Sequence, residues 1–128
     1  MTINFARVKD YLDAIAESAV GDITVSPHHA FWQTDYPTFK TGNVPGVTCP
    51  RVRGNPIPNL DNADLTQSAF YTILTQAAGF CAMEQMPAGG PFINSAGYEV
   101  ILPDHSKVTG AQIQADVLDW LQSGAPEF

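Results

Sequence analysis

Apolar side chains recur at helical spacing in three stretches of the chain, and these stretches predict three principal helices, over residues 3–20, 62–78 and 109–122. In each stretch the apolar positions lie three and four residues apart, which is typical of a helix that packs one face on a core. The three stripes consist of Phe5, Val8, Leu12, Ile15 and Ala19, of Leu65, Ala69, Phe70, Ile73, Leu74 and Ala77, and of Ile113, Val117, Leu118, Trp120 and Leu121. We therefore expect the three helices to pack together as one core.

The third helix carries clear signals at both ends. Thr109 precedes it and Gln112 follows three residues later, which is the spacing of a capping box. Gly124 favours a left-handed residue at the carboxyl end, and Pro126 prevents the helix from resuming.

The segments between the helices are rich in proline and glycine. Pro37 predicts a second, short turn of helix, and residues 42–47 are interpreted as a turn-rich connector. Residues 98–102 have β propensity and precede a turn at residues 103–106, so a small β-hairpin is predicted before the third helix. The expected fold is mainly α, one domain over residues 1–128, with three principal helices and long Pro/Gly-rich loops.

Two motifs follow one another in the second half of the chain. A Met-Pro-Ala-Gly-Gly-Pro turn occupies residues 86–91, and the last helix ends in Trp-Leu-Gln-Ser-Gly-Ala-Pro at residues 120–126. Together they resemble the carboxyl-terminal half of bacterial cytochrome c-like domains, and residues 68–74 resemble the helix before the turn in that family. The resemblance covers roughly residues 57–126, with an insertion at residues 94–107. It implies a cytochrome c-like arrangement in which the last helix packs on the first.

The chain departs from that family where haem is attached. The family needs Cys-x-x-Cys-His, and the sequence contains no such motif. Covalent haem is therefore excluded, electron transfer is not carried over, and we expect a haem-less domain with no cofactor. The family's axial methionine corresponds to Met86, so the resemblance leaves one alternative open, a non-covalent haem between Met86 and His28 or His29.

The charge of the chain limits its partners. The net charge is −7, the sequence pI is about 4.5 and only six Lys and Arg are present. Neutralisation of nucleic-acid phosphates is not expected, and an anionic membrane surface would repel the protein. No apolar run reaches membrane-spanning length, and the first residues do not resemble a signal peptide. We expect a cytoplasmic protein or a trimmed exported domain, whose partner is a protein or a small molecule.

The two cysteines, Cys49 and Cys81, allow two interpretations. In a cytoplasmic protein they would be free thiols, whereas in an exported one they could form a disulfide that closes a loop of about thirty residues. Because no export signal is visible, we expect free thiols.

Candidate chemistry concentrates between Pro27 and Phe39, where two of the three histidines and four of the thirteen aromatic residues lie. Aromatic side chains provide large contact areas at low entropic cost, which suits recognition. The resemblance implies that this segment borders the space that haem would occupy. We therefore predict a non-catalytic binding or accessory module. Its predicted binding residues are Phe31, Trp32, Tyr36, Phe39 and Met86. The structural alternative is that these rings fill the core.

A second function remains open, a small metal-binding enzyme or redox subunit with histidine ligands. Neutral imidazole is a common metal ligand, and the candidate ligands are His28, His29 and His105, with a carboxylate such as Asp35. Neighbouring residues on a helix point about a hundred degrees apart, so His28 and His29 would rarely reach one ion. No phosphate-binding loop or recognised cysteine-nucleophile motif is present.

Overall fold

The computed structural model describes residues 2–23, 29–49, 55–81 and 83–128. Its elements, in chain order, are α1 (Phe5–Ser18), α2 (Tyr36–Thr41), β1 (Asn43–Cys49), β2 (Asn55–Pro58), a 3-10 turn (Leu65–Gln67), α3 (Ala69–Thr75), β3 (Glu99–Ile101), β4 (Lys107–Thr109) and α4 (Gly110–Gln122). Of the described residues, 38% are helical and 16% are strand, and their strands form two small antiparallel sheets. The prediction of a mainly α fold is therefore wrong, and the fold is mixed α/β.

The first sheet occupies the segment that was interpreted as a connector. β1 and β2 pair antiparallel, with Asn43 opposite Pro58 and Cys49 opposite Asn55, and the register shifts between Asn43 and Thr48. Pro45 and Gly46 lie inside that irregularity, and Gly46 has a φ of 75°. Proline and glycine disfavour a regular strand but are tolerated at edges and bulges. Because the segment contains proline and glycine, its composition did not predict a strand.

The helix predicted over residues 62–78 is much shorter in the structure. The 3-10 turn and α3 are separated by Ser68, whose backbone is extended. The Ser68 hydroxyl donates to the Leu65 carbonyl at 2.6 Å and accepts from the Asp61 N–H at 3.0 Å. A serine side chain that bonds nearby backbone groups in this way competes with continuous helix.

The other two long helices begin and end close to their predicted limits. Asn4 caps α1 by accepting from the Arg7 N–H at 2.9 Å, and Thr109 caps α4 by accepting from the Gln112 N–H at 3.1 Å. The Gln112 side chain donates to Asp116 at 2.7 Å, so only one half of the predicted capping box forms. Gly124 has a φ of 90° and ends α4 as expected.

β3 and β4 form the predicted hairpin, with Glu99 opposite Thr109 and Ile101 opposite Lys107. The hairpin leads directly into α4 at Gly110. A Cβ atom at Gly110 would lie only 1.7 Å from the Ile93 carbonyl oxygen, so this close approach of two backbones requires glycine.

The main hydrophobic core joins the three apolar stripes, which confirms that these helices pack together. The buried stripe residues in this core are Phe5, Val8, Leu12 and Ile15 from α1, Phe70 and Leu74 from α3, and Ile113, Val117, Trp120 and Leu121 from α4. Trp120 is fully buried, and its indole N–H donates to the Pro126 carbonyl at 2.8 Å. The carboxyl-terminal segment is thereby held against the core.

A smaller buried cluster contains Cys49, Ile57 and Ala69 beside the first sheet. Cys49 and Cys81 form a disulfide with an S–S distance of 2.04 Å, so the expectation of free thiols is wrong. The bridge connects the end of β1 to a tight turn in which Phe80 and Met83 pair through their backbones. Two segments that are distant in sequence are therefore joined covalently.

None of the helices in the described residues has the length and apolar character needed to cross a lipid bilayer.

Candidate ligand-binding cavity

A cavity of about 330 Å³ lies between α1, the loop before α2, α3 and the Met-Pro turn at residues 86–88. Its walls are almost entirely apolar and consist of Leu12, Ile15, Ala16, Ala19, Gly21, Asp22, Ile23, Phe31, Trp32, Phe70, Ile73, Leu74, Met86, Pro87 and Ala88. Natural ligand pockets share this character, with predominantly apolar and aromatic walls and few polar groups. The cavity is therefore the strongest candidate for a functional site among the described residues.

The floor of the cavity is the carboxyl-terminal end of α1 and the residue that follows it. Leu12, Ile15, Ala16 and Ala19 recur at three- and four-residue spacing, so they lie on one face of the chain. Leu12 and Ile15 are buried in the core, whereas Ala16 and Ala19 are only half-buried. Because alanine side chains are short, this end of the face leaves open the space that larger residues would fill.

One wall is the aromatic pair Phe31 and Trp32. The Trp32 indole N–H donates to Asp13 on α1 at 2.7 Å, and the Gln33 amide donates to the same carboxylate. The Phe31 and Trp32 rings meet edge to face, with centroids 5.5 Å apart, and Phe31 stacks on Phe39 at 6.0 Å. These contacts orient both rings toward the cavity without any ligand.

The opposite wall is the Met-Pro turn, which is attached to the end of α3. The last carbonyls of a helix have no partner within the helix. Here the Met86 N–H donates to the Ile73 carbonyl at 2.8 Å, the Gln85 side chain donates to the Leu74 carbonyl at 2.9 Å, and Asn94 donates to the carbonyl of the final helical residue at 2.9 Å. The turn therefore caps α3 and places the Met86 side chain in the cavity wall.

The mouth of the cavity lies between the exit of α1 and this turn. The Val20 N–H donates to the Gly90 carbonyl at 3.0 Å, which joins the two segments. Gly21, Asp22 and Ile23 form one lip, and Pro87 and Ala88 lie on the other side. The Met86–Pro87 and Gly90–Pro91 peptide bonds are both cis.

An acidic groove of about 530 Å³ opens beside the cavity. Asp13, Glu17 and Asp22 line it, and it shares Ala16, Ala19, Gly21, Asp22, Ile23 and Trp32 with the cavity. Neither Lys nor Arg occurs among the described residues that line either space. Arg51 and Arg53 lie outside the described residues. The remaining basic side chains make contacts elsewhere: Arg7 with Asp104, Lys107 with Glu99, Lys40 with the Gly124 carbonyl and Lys9 over the Phe5 ring.

Three of the five predicted binding residues, Phe31, Trp32 and Met86, line the cavity together. The other two do not. Phe39 is fully buried among the core rings, and the Tyr36 hydroxyl donates to the Ala125 carbonyl at 2.7 Å. Phe39 therefore serves packing, and the Tyr36 hydroxyl contacts the carboxyl-terminal segment, while a binding role for Phe31, Trp32, Tyr36 and Met86 stays a prediction.

Sequence reasoning missed Ala16, Ala19 and Ile73 as cavity residues. Ala16 lies near the carboxyl end of α1 and Ala19 directly follows the helix, and both are smaller than the Leu12 and Ile15 side chains beside them. A patch of small residues on an otherwise bulky apolar face is the signal that would have indicated a gap in the packing.

The predicted histidine ligands are only partly covered by the structure. His28 lies outside the described residues, and His29 and His105 are both exposed, with φ angles of 49° and 68°. In the described part of the chain no three His, Cys, Asp or Glu side chains come together as a metal site would require. Asp35 instead caps α2, and hydrogen bonds from the Thr38 side chain and backbone hold the pKa of Asp35 below its usual value.

Comparison of the chain with models of protein families, with curated proteins and with solved structures finds no match. The resemblance of the Met-Pro turn and the last helix to cytochrome c-like domains therefore stays a prediction.

Proposed function

We propose that this protein is a non-catalytic binding module that takes a small, largely apolar molecule into the cavity between α1, α3 and the Met-Pro turn. The observation that carries this proposal is the apolar volume of about 330 Å³, with Phe31, Trp32 and Met86 in its walls. Natural ligand pockets are largely preformed clefts with predominantly apolar and aromatic walls, and this cavity has that character.

The size of the cavity sets the size of the ligand. At about 30 Å³ per water-sized group, the volume holds roughly a dozen non-hydrogen atoms. This is near the lower limit of natural ligand pockets, at about 300 Å³. A single aromatic ring with a short alkyl chain fits that limit.

The composition of the walls supports binding rather than catalysis. Among the described lining residues Asp22 is the single titratable side chain, and it lies at the mouth. General acid-base or nucleophilic chemistry needs a reactive group within hydrogen-bonding reach of the substrate. The deeper walls offer hydrocarbon, aromatic rings and a thioether, which contribute apolar contact.

The walls are also held in place before any ligand arrives. A hydrogen bond to Asp13 holds the Trp32 ring, and the backbone hydrogen bond from Met86 to the end of α3 holds Met86 in position. A ligand that enters a preformed site avoids the entropic penalty of ordering its walls. For about a dozen ligand atoms we expect a dissociation constant on the order of 0.1–1 mM.

The test uses phenylbutanol as the probe and the fluorescence of Trp32 as one readout, with calorimetry as the other. Trp120 is replaced by Phe in a parallel preparation, so that emission comes from Trp32 alone. Ala16→Leu places a larger side chain in the cavity and should abolish binding while the protein stays folded. Ala6→Leu is the matched control, because Ala6 is exposed on the same helix and lies outside the cavity lining.

Saturable binding to the parent and to Ala6→Leu, together with its loss in folded Ala16→Leu, would support the proposal. If phenylbutanol fails to bind the parent protein at millimolar concentration, or binds Ala16→Leu equally well, the cavity is a packing void and the proposal is wrong.

A further inference from the structure

Among the described residues, the charged side chains that line the groove beside the cavity are all carboxylates. Asp13 and Glu17 lie four residues apart on α1, so they share a face of the helix, and Asp22 follows at its exit. The groove that they line adjoins the apolar cavity, and the two spaces share lining residues that include Ala16, Ala19 and Trp32. An apolar chamber with an anionic entrance matches a molecule with an apolar body and a positive end.

From this juxtaposition we propose that the ligand is an amphipathic cation, with its apolar body in the cavity and its ammonium group in the acidic groove. The inference rests on the proposed function, since without a binding cavity the carboxylates would be an ordinary solvated surface. The cavity selects the body of the ligand, and charge complementarity selects its head group.

In the described part of the chain, Asp13 contacts neutral hydrogen-bond donors and no Lys or Arg. Its carboxylate accepts hydrogen bonds from the neutral Trp32 and Gln33 side chains, which orient it and leave its charge intact. Glu17 and Asp22 are exposed at the groove. The adjoining residues 24–28 contain neither Lys nor Arg in the sequence, and their one titratable side chain is His28. Among the described residues that line the groove, an incoming ammonium group therefore meets carboxylates and no Lys or Arg.

The magnitude of the preference follows from Coulomb's law. An ammonium about 4 Å from one carboxylate gains enough interaction, even in water, for roughly a fivefold change in affinity, and more than one carboxylate contributes here. We expect phenylbutylamine to bind at least about fivefold more tightly than phenylbutanol at low salt. The advantage should shrink as salt rises, because the Debye length falls to about 10 Å at 0.1 M and about 3 Å at 1 M.

The experiment compares three probes that share a phenylalkyl body, namely phenylbutylamine, phenylbutanol and phenylbutyrate. Binding is measured by calorimetry at low and at high salt, on the parent and on two variants. Glu17→Gln with Asp22→Asn removes two charges from the groove. Asp119→Asn with Asp64→Asn is the matched control, because both residues are exposed and lie outside the cavity and the groove.

The inference is supported if the amine binds best and the carboxylate worst, and if the advantage of the amine over the alcohol falls in the groove variant, which keeps Asp13, but not in the control variant. Equal binding of the three probes would overturn the inference and leave the proposed function standing. An amine advantage that is undiminished in the groove variant, or amine binding that persists in folded Ala16→Leu, would also overturn the inference. If none of the probes binds the parent, the proposed function fails and the inference fails with it.

Discussion

Removing the disulfide between Cys49 and Cys81 should strongly reduce the stability of this protein. The two residues are separated by 32 positions, and the chain-entropy model then assigns the bridge about 3.7 kcal/mol at 25 °C. That free energy comes from the restriction of the unfolded chain. It is comparable to a large fraction of the stability of a domain, which is typically about 5–15 kcal/mol.

The native contacts around the bridge should add to this loss. Cys49 is 5% exposed and packs with Ile57 and Ala69 in the smaller cluster, away from the main core. That cluster is small, so the covalent link is a principal connection between the first sheet and the turn that contains Cys81. We expect the Cys49→Ala, Cys81→Ala variant to lose about 4 kcal/mol, and the first sheet to lose protection before the main core.

Urea unfolding measures this directly. The oxidised protein, the same protein with reductant and the double variant are unfolded in parallel, with the tryptophan signal for the main core. The dependence of the unfolding free energy on urea should be steeper without the bridge, because an uncrosslinked chain exposes more surface. Addition of reductant to the double variant is the control and should change nothing.

Two results would refute this reasoning. One is a double variant whose unfolding free energy lies within about 1 kcal/mol of the oxidised protein, since the entropic contribution would then be absent. The other is a titration of the purified protein, denatured without reductant under conditions that block thiol oxidation and exchange, that finds two free thiols per chain.

Three further predictions concern the core and the carboxyl-terminal elements. Trp120→Ala should lower the unfolding free energy by about 3–5 kcal/mol because the ring is fully buried, and an unchanged urea midpoint would remove it from the core. Gly110→Ala should destabilise the protein by about 1–3 kcal/mol because the new Cβ would meet the Ile93 carbonyl, although alanine usually favours a helix. A gain in melting temperature would contradict this close approach. Hydrogen bonds from Ser106 lower the pKa of Asp104 from 3.8 to about 2. The contribution of this carboxylate to folding stability is therefore present above about pH 4 and is lost as the pH falls toward 2. The stability difference between the parent and Asp104→Asn should therefore shrink over that range in acid unfolding, whereas a constant difference would be inconsistent with this assignment.

The elements that could be predicted from the sequence are those whose causes are local. The apolar stripes and caps of α1 and α4 lie within one continuous segment, so spacing and end residues were sufficient to predict both helices to within about two residues. The β3–β4 hairpin was predicted for the same reason, since its two strands are close in sequence. The mutual packing of the three stripes also followed, because each apolar face has to be buried.

The sequence was misleading where an element depends on a partner elsewhere. Strand β1 contains Pro45 and Gly46, and its pairing with β2 overrides their poor strand propensity. The length of α3 was overestimated because Ser68 interrupts the helix and the Met-Pro turn takes the carbonyls at its end. The disulfide was judged from the absence of an export signal, whereas its formation depends on whether two distant segments meet.

The apolar positions, the limits of the long helices and the excess of negative charge could all be read from the sequence. The sequence also indicated Met86 and the aromatic residues near Trp32 as candidates for a site. The tertiary structure decided that Phe31, Trp32 and Met86 face one cavity while Phe39 fills the core. It also placed Ala16 in the lining of the same cavity and three carboxylates in the groove beside it. The physical reason is that a cavity is the space left between four segments, and that space depends on how the segments pack, which the hydrophobicity of any one of them does not specify.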